Sequence, residues 1–149
     1  ARLFAEFEKK ATTPARKRAI VGKVLEALTV HTYLENEVLY PQVRAEVPAL
    51  EDHILESYEE HHVVDVLAAE LAGMDQTSER YFPKFTVLME NVRHHVKEEE
   101  EEWFPQVRTA LSRRRLSEMG AQMLAMKPDA PRHPAQPSAL KKAIDAVIA

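Results

Sequence analysis

"HTYLENEVLYPQVR" at residues 31–44 and "HVKEEEEEWFPQVR" at residues 95–108 are two copies of one pattern. Seven of the fourteen aligned positions are identical, and the second copy begins 64 residues after the first. Each copy places a histidine four residues before a glutamate, and a proline follows within the next two turns. Side chains four residues apart face the same side of an α-helix. The repeat therefore predicts two helices that present matching histidine–glutamate pairs.

The composition favours one all-helical domain. Of 149 residues, 45% are hydrophobic and only three are glycine, and helix-forming residues are abundant. A net charge of −4 argues against a nucleic-acid partner. The sequence shows no apolar run long enough to span a membrane and no signal peptide, which predicts a cytoplasmic protein. It contains no cysteine, so a metal must be held by histidine and carboxylate, with tyrosine as a further donor.

Cap and breaker residues divide the chain into a bundle, residues 1–115, and a C-terminal extension, residues 116–149. The bundle is predicted to be all-α, with four helices in up-down-up-down order. These helices are expected over residues 1–10, 14–45 and 50–72, and from Thr77 or Ser78 to about residue 113. Pro41 and Pro105 should kink or end the regular part of their helices.

The extension is expected to contain two short helices. Ser117 is the predicted cap of the first, which ends near Lys127. Four prolines in residues 127–137 indicate an irregular connector, and residues 138–149 follow as a small amphipathic helix.

Hydrophobic spacing places both histidine–glutamate pairs on the inward faces of their helices. The third helix adds a further inward histidine, His61, whereas its neighbour His62 lies about 100° round the helix. The predicted inward residues are Val24, Leu28, His31, Glu35 and Val38, then Leu50, Ile54, His61, Val64, Ala68 and Leu71, and finally Leu88, Val92, His95 and Glu99. The "LYP" and "WFP" stretches are interpreted as apolar plugs at the closed end of the bundle.

Glu35 and Glu99 need a partner if they are buried, because an unpaired buried carboxylate costs several kcal/mol. No lysine or arginine shares their stripes, but His31 and His95 lie one turn away and His61 converges from the third helix. A metal ion satisfies this combination of carboxylates and neutral imidazoles. Without one, the carboxylates are expected to take up protons or draw in water.

A single histidine–glutamate pair at this spacing is usually a solvated surface pair. Two copies in register, with a third inward histidine and no inward cation, favour a metal site instead. His62 and His94 are adjacent in sequence to the proposed ligands and are interpreted as solvated side chains that bind no metal.

The repeated motif resembles that of the hemerythrin family, in particular bacterial hemerythrin-like domains with the HHE cation-binding motif. The resemblance rests on "HTYLENEVLYP", "EEHHVVDVLAAEL" and "HVKEEEEEWFP" and covers residues 1 to about 115. It implies a non-haem di-iron centre bridged by carboxylates and by an oxo or hydroxo group. The ligands that it implies are His31, Glu35, His61, His95 and Glu99.

Two positions depart from the family pattern. The repeat offset places a first-helix ligand before Ala1, and we expect it either to precede this sequence, which the missing helix start favours, or to be lacking. Ser57 stands where oxygen carriers of the family have another histidine, one turn before His61. Tyr58 is close enough to occupy the vacant coordination position and is a further candidate ligand.

The resemblance implies binding or redox processing of a small ligand: O2, NO or peroxide. The poor ligand set favours redox processing over reversible O2 carriage. The alternative is a bundle whose metal only staples the helices, acting as a regulator or in iron sensing or storage, without catalysis. A site of that kind is coordinatively closed.

Overall fold

The computed structural model describes residues 1–135, whose regular secondary structure is entirely helical, with no β-strand. Helices α1, α2–α3, α4 and α5–α6 are the four rods of a bundle, as predicted, and α7 follows them. The helices are α1 (Arg2–Glu8), α2 (Pro14–Leu34), α3 (Tyr40–Glu46), α4 (Glu51–Gly73), α5 (Tyr81–Glu98), α6 (Phe104–Ala110) and α7 (Arg113–Met126). The helix predicted over residues 138–149 lies outside the described residues.

Two π-helical segments, Glu35–Leu39 and Glu99–Trp103, join α2 to α3 and α5 to α6. An α-helix through Pro41 would need an amide hydrogen that proline lacks, and its ring would clash with the carbonyl of residue 37. The helix instead takes one extra residue into this turn, so the Tyr40 amide donates to the Glu35 carbonyl five residues earlier. The predicted disturbance by both prolines is confirmed. Each π segment begins at the glutamate of a repeated pair.

Two apolar clusters fill the bundle on either side of these glutamates. At the α1 end, Phe4 and Phe7 pack edge-on against Phe85, with ring centroids 6.1 and 4.7 Å away. At the other end, Tyr40 and Trp103 belong to a second buried cluster. In the described part of the chain, no helix combines the length and the hydropathy that a membrane span requires.

Two predicted helix starts are wrong. Helix α5 begins at Tyr81 and not at Thr77 or Ser78, because Asp75 draws the Thr77 amide and hydroxyl into a tight turn. Helix α7 is capped by Ser112, whose hydroxyl accepts from the Arg115 amide at 3.1 Å.

Helix α7 lies against the first repeated segment. Arg115 forms an ion pair with Glu46 at 2.7 Å and a hydrogen bond with Gln42, and Met119 is buried. The predicted cap residue, Ser117, is therefore inside a helix that starts before the proposed end of the bundle.

Candidate metal centre

Four of the predicted site residues form one buried cluster. Glu35 and Glu99 begin the two π segments, His61 lies in α4 and His95 in α5, and none of the four is more than 4% exposed. Their ligand atoms all lie within 4.8 Å of one another. The inward direction predicted for His61 is confirmed, and His62 is exposed.

The carboxylate of Glu35 is shared between two histidines. Its Oε1 lies 3.1 Å from Nε2 of His31, and its Oε2 lies 3.2 Å from Nε2 of His61. His31 stands at the edge of the cluster, with its side chain 48% exposed. His31, the fifth predicted ligand, therefore contacts the buried cluster through its ion pair with Glu35.

Each buried histidine is held by a hydrogen bond from Nδ1, the ring nitrogen that points away from the cluster. His61 Nδ1 donates to the Asn36 side-chain oxygen at 2.7 Å, and His95 Nδ1 donates to Glu60 Oε2 at 2.5 Å. A carboxylate can only accept, so the proton of a neutral His95 lies on Nδ1. The Nε2 atoms of His61 and His95 then direct lone pairs into the cluster, only 2.9 Å apart. A proton or a metal ion must lie between them.

The hydroxyl of Tyr40 lies in the middle of the cluster. It is 2.6 Å from Glu99 Oε1, 3.1 Å from His61 Nε2, and 3.3 Å from both Glu35 Oε2 and His95 Nε2. Burial, together with the charges of Glu35 and Glu99, raises the pKa of Tyr40, so the hydroxyl keeps its proton. One hydroxyl proton cannot satisfy four acceptors.

Tyr40 was not among the predicted site residues: its ring lies in the second apolar cluster, as the interpretation of "LYP" as an apolar plug predicts, but its hydroxyl lies in the histidine–glutamate cluster. The repeat holds a signal that could have found it: the aligned residue is Phe104, so only the first copy has a hydroxyl. The hydroxyl of Tyr58, the tyrosine proposed as a ligand, lies 3.4 Å from the Asn36 carbonyl and outside the cluster.

Without metal, the cluster is a coupled set of charges. Burial alone raises the pKa of Glu35, but the hydrogen bonds and charges of His31 and His61 outweigh it and lower that pKa to about 2. Burial alone lowers the pKa of His95, but Glu99 outweighs it and helps to raise that pKa to about 9. A proton therefore binds His95, and the carboxylate of Glu35 stays charged.

The donor set fits a transition-metal ion. Among the described residues, Glu35 and Glu99 form ion pairs with histidine and with no lysine or arginine. Carboxylate oxygens and imidazole nitrogens together suit iron, zinc or manganese. A cation in the cluster would separate the two Nε2 lone pairs and neutralise both carboxylates.

A cavity of about 460 Å³ leads to the cluster. Its walls are mainly apolar and include Val24, Val64 and Val92, and His31 lies at its rim. Ala1 and Arg2, at the start of α1, also line it.

Comparison with known proteins identifies the family. The model of the hemerythrin HHE cation binding domain matches residues 1–107. The chain belongs to this family. This HHE domain is a helical bundle for cation binding, and the buried histidine–glutamate cluster is its candidate metal site.

Two known proteins are similar to this chain. A hemerythrin HHE cation binding domain-containing protein from Mycobacterium kansasii has the same fold, with a TM-score of 0.66 and 21% identity, covering 85% of this chain and 76% of that one. A protein from Nostoc sp. (strain PCC 7120), named DNA nickase, is 26% identical over 125 residues. The match covers 84% of the HHE chain and 35% of the nickase, so the chain spans about a third of that relative's length.

Replacing Tyr40 with Phe should destabilise the metal-free protein by about 1–3 kcal/mol, because the Glu99 carboxylate loses a charge-assisted hydrogen bond in a buried site. Tyr58→Phe is the matched control, since that hydroxyl meets only a carbonyl at 3.4 Å. Urea unfolding of both variants measures the difference. Equal losses would contradict the central position of Tyr40.

Proposed function

We propose that this HHE domain holds two iron ions through His31, Glu35, His61, His95 and Glu99, and that the centre binds or redox-processes O2, NO or peroxide. One observation carries the proposal of two ions. The oxygens of Glu35 face different histidines, His31 and His61, at 3.1 and 3.2 Å. A carboxylate whose two oxygens face different histidines can bridge two metal ions.

The two proposed ions differ in their surroundings. His61, His95 and Glu99 would hold the inner one, within a buried region. His31 and Glu35 would hold the outer one, beside the cavity and with fewer protein donors. The outer ion should therefore have coordination positions left for a small exogenous ligand.

The other residues orient the ligands and control protons. Asn36 accepts a hydrogen bond from His61, and Glu60 accepts one from His95, so both Nε2 atoms point into the cluster. Mutation of such supporting residues typically lowers metal affinity by about 10–100-fold. The Tyr40 hydroxyl is the proton donor nearest to Glu99. When bound, iron would supply electron transfer and direct coordination of the small ligand.

The cavity supports a small uncharged ligand. Its lining is mainly apolar, with Val24, Val64 and Val92 among the wall residues, and it leads to His61 and His95. O2, NO and hydrogen peroxide are small enough to pass, and all three react with ferrous iron.

Metal analysis with optical spectroscopy tests the proposal. We expect two irons per chain after iron-replete expression, and a visible spectrum that changes with azide or NO and is altered or bleached by peroxide. Zinc alone would contradict the iron assignment. A spectrum indifferent to all three reagents would instead support a closed centre that only staples the helices.

The same spectra distinguish the two tyrosines. A phenolate bound to ferric iron gives a charge-transfer band in the visible. If Tyr58 is a ligand, Tyr58→Phe removes that band; if the ligand is Tyr40, Tyr40→Phe removes it.

A further inference from the structure

A second group of metal-binding side chains lies outside the buried cluster. Glu60 in α4 and His94 and Glu98 in α5 bring their ligand atoms within 4.8 Å of one another. The side chain of His94 is 65% exposed, whereas those of Glu60 and Glu98 are 19% and 25% exposed. We infer that these three residues form a second, solvent-facing site for a divalent transition-metal cation, distinct from the proposed di-iron centre and beyond its function.

The distances suit a shared cation. His94 Nε2 is 2.8 Å from Glu98 Oε1 and 3.7 Å from Glu60 Oε1. Two donors that each lie about 2.1 Å from one ion stand roughly 3 to 3.5 Å apart. Small rotations of these side chains would bring all three donors onto one ion. Three protein donors leave positions for water, which is typical of an exchangeable site.

The charges also favour a cation. Glu60 and Glu98 are held close together by the packing of α4 against α5, and like charges at this distance repel. In the described part of the chain, the ion-pair partners of both carboxylates are histidines. The imidazole favours a divalent transition-metal ion such as Zn²⁺ or Co²⁺ over Mg²⁺ or Ca²⁺, which take oxygen ligands.

Glu60 connects the surface site with the buried cluster. Its Oε2 accepts from His95 Nδ1 at 2.5 Å, which leaves Oε1 facing His94. Oε1 of Glu60 therefore faces the surface group, where a cation beside His94 could bind it.

Equilibrium dialysis of the full chain against Co²⁺ tests the site, with bound metal counted by elemental analysis. We expect the wild type to bind one more Co²⁺ per chain than His94→Ala, and Glu98→Gln to weaken that extra ion at least about tenfold. His62→Ala is the matched control, since His62 is an exposed histidine outside the group, and it should bind as the wild type does.

Equal Co²⁺ counts in the wild type, His94→Ala and Glu98→Gln would overturn the site and leave only solvated ion pairs. Circular dichroism checks that each variant is folded, and Glu98→Gln, which keeps the shape of the side chain, decides the question if His94→Ala is not. The same comparison in a His61→Ala background separates the two centres. There the extra ion should persist even if the buried cluster binds nothing.

Discussion

His61→Ala is expected to lose at least one of the two proposed ions, whereas His62→Ala should keep both. His61 is 2% exposed, and its Nε2 lies 3.2 Å from Glu35 Oε2 and 2.9 Å from His95 Nε2. The variant removes one of the inner donors and leaves the Asn36 side chain without the ring that it orients. Elemental analysis after dialysis measures the loss as iron per chain.

His62→Ala controls for the adjacent position. Its side chain is exposed and lies outside both groups of metal-binding residues, so its removal should leave metal content and spectrum unchanged. A result with the two variants exchanged would mean that the ligand face of α4 is displaced by one residue. Full metal content in His61→Ala would contradict the proposed inner ion.

The fold and the four buried cluster residues could be predicted because both depend on helical periodicity. A spacing of three and four residues places Glu35 and His61 inward whatever the details of packing, and the repeat fixes Glu99 in the same way. Those directions are confirmed by the burial of all three side chains. Helix starts were less predictable, because Ser112 and Ser117 are equally good caps by residue type.

Contacts that depend on how the helices pack against one another could not be predicted from the sequence. Tyr40 reaches the cluster only because the chain widens into a π segment between Glu35 and Pro41, which turns the side chain away from its α-helical direction. Asn36 and Glu60 find His61 and His95 across helix interfaces, at sequence separations of 25 and 35 residues. No local pattern encodes such pairings.

Which groups carry protons in the metal-free cluster also could not be predicted without the structure. The apolar stripes predict that one or both carboxylates, once stripped of metal, take up protons or draw in water. Glu35 does not take up the proton, because His31 and His61 lie close enough to lower its pKa to about 2. The metal-free protein takes up its proton at His95, whose pKa is raised to about 9.

Removing the metal should lower the melting temperature substantially. A ligand present at about 1,000 times its dissociation constant stabilises the native state by about 4 kcal/mol. For a chain of this size, that corresponds to a fall of roughly 8–16 °C on removal. Thermal unfolding with and without a chelator measures it. An unchanged melting temperature would contradict metal binding within the core.

The remaining stability of the metal-free protein should fall as the pH rises. The pKa of His95 is raised in the native state, so its contribution is complete below the unfolded value of about 6.5 and is lost towards about 9. The loss is on the order of 3 kcal/mol. The pKa of Glu35 is lowered, so its contribution is complete above about 4.5 and is lost towards about 2. The metal-free protein should therefore be most stable between about pH 4.5 and 6.5.

The metal-bound form should show the opposite slope in the same range. A histidine that coordinates metal is neutral, so protons compete with the ion and stability rises as they leave. The melting temperatures of the two forms should thus lie closest near pH 6 and farthest apart near pH 9. His95→Gln removes one titrating group and should make the pH dependence of the metal-free protein's stability shallower, whereas His62→Ala should leave it intact. A metal-free protein as stable at about pH 9 as at about pH 6 would mean that His95 carries no proton in the cluster.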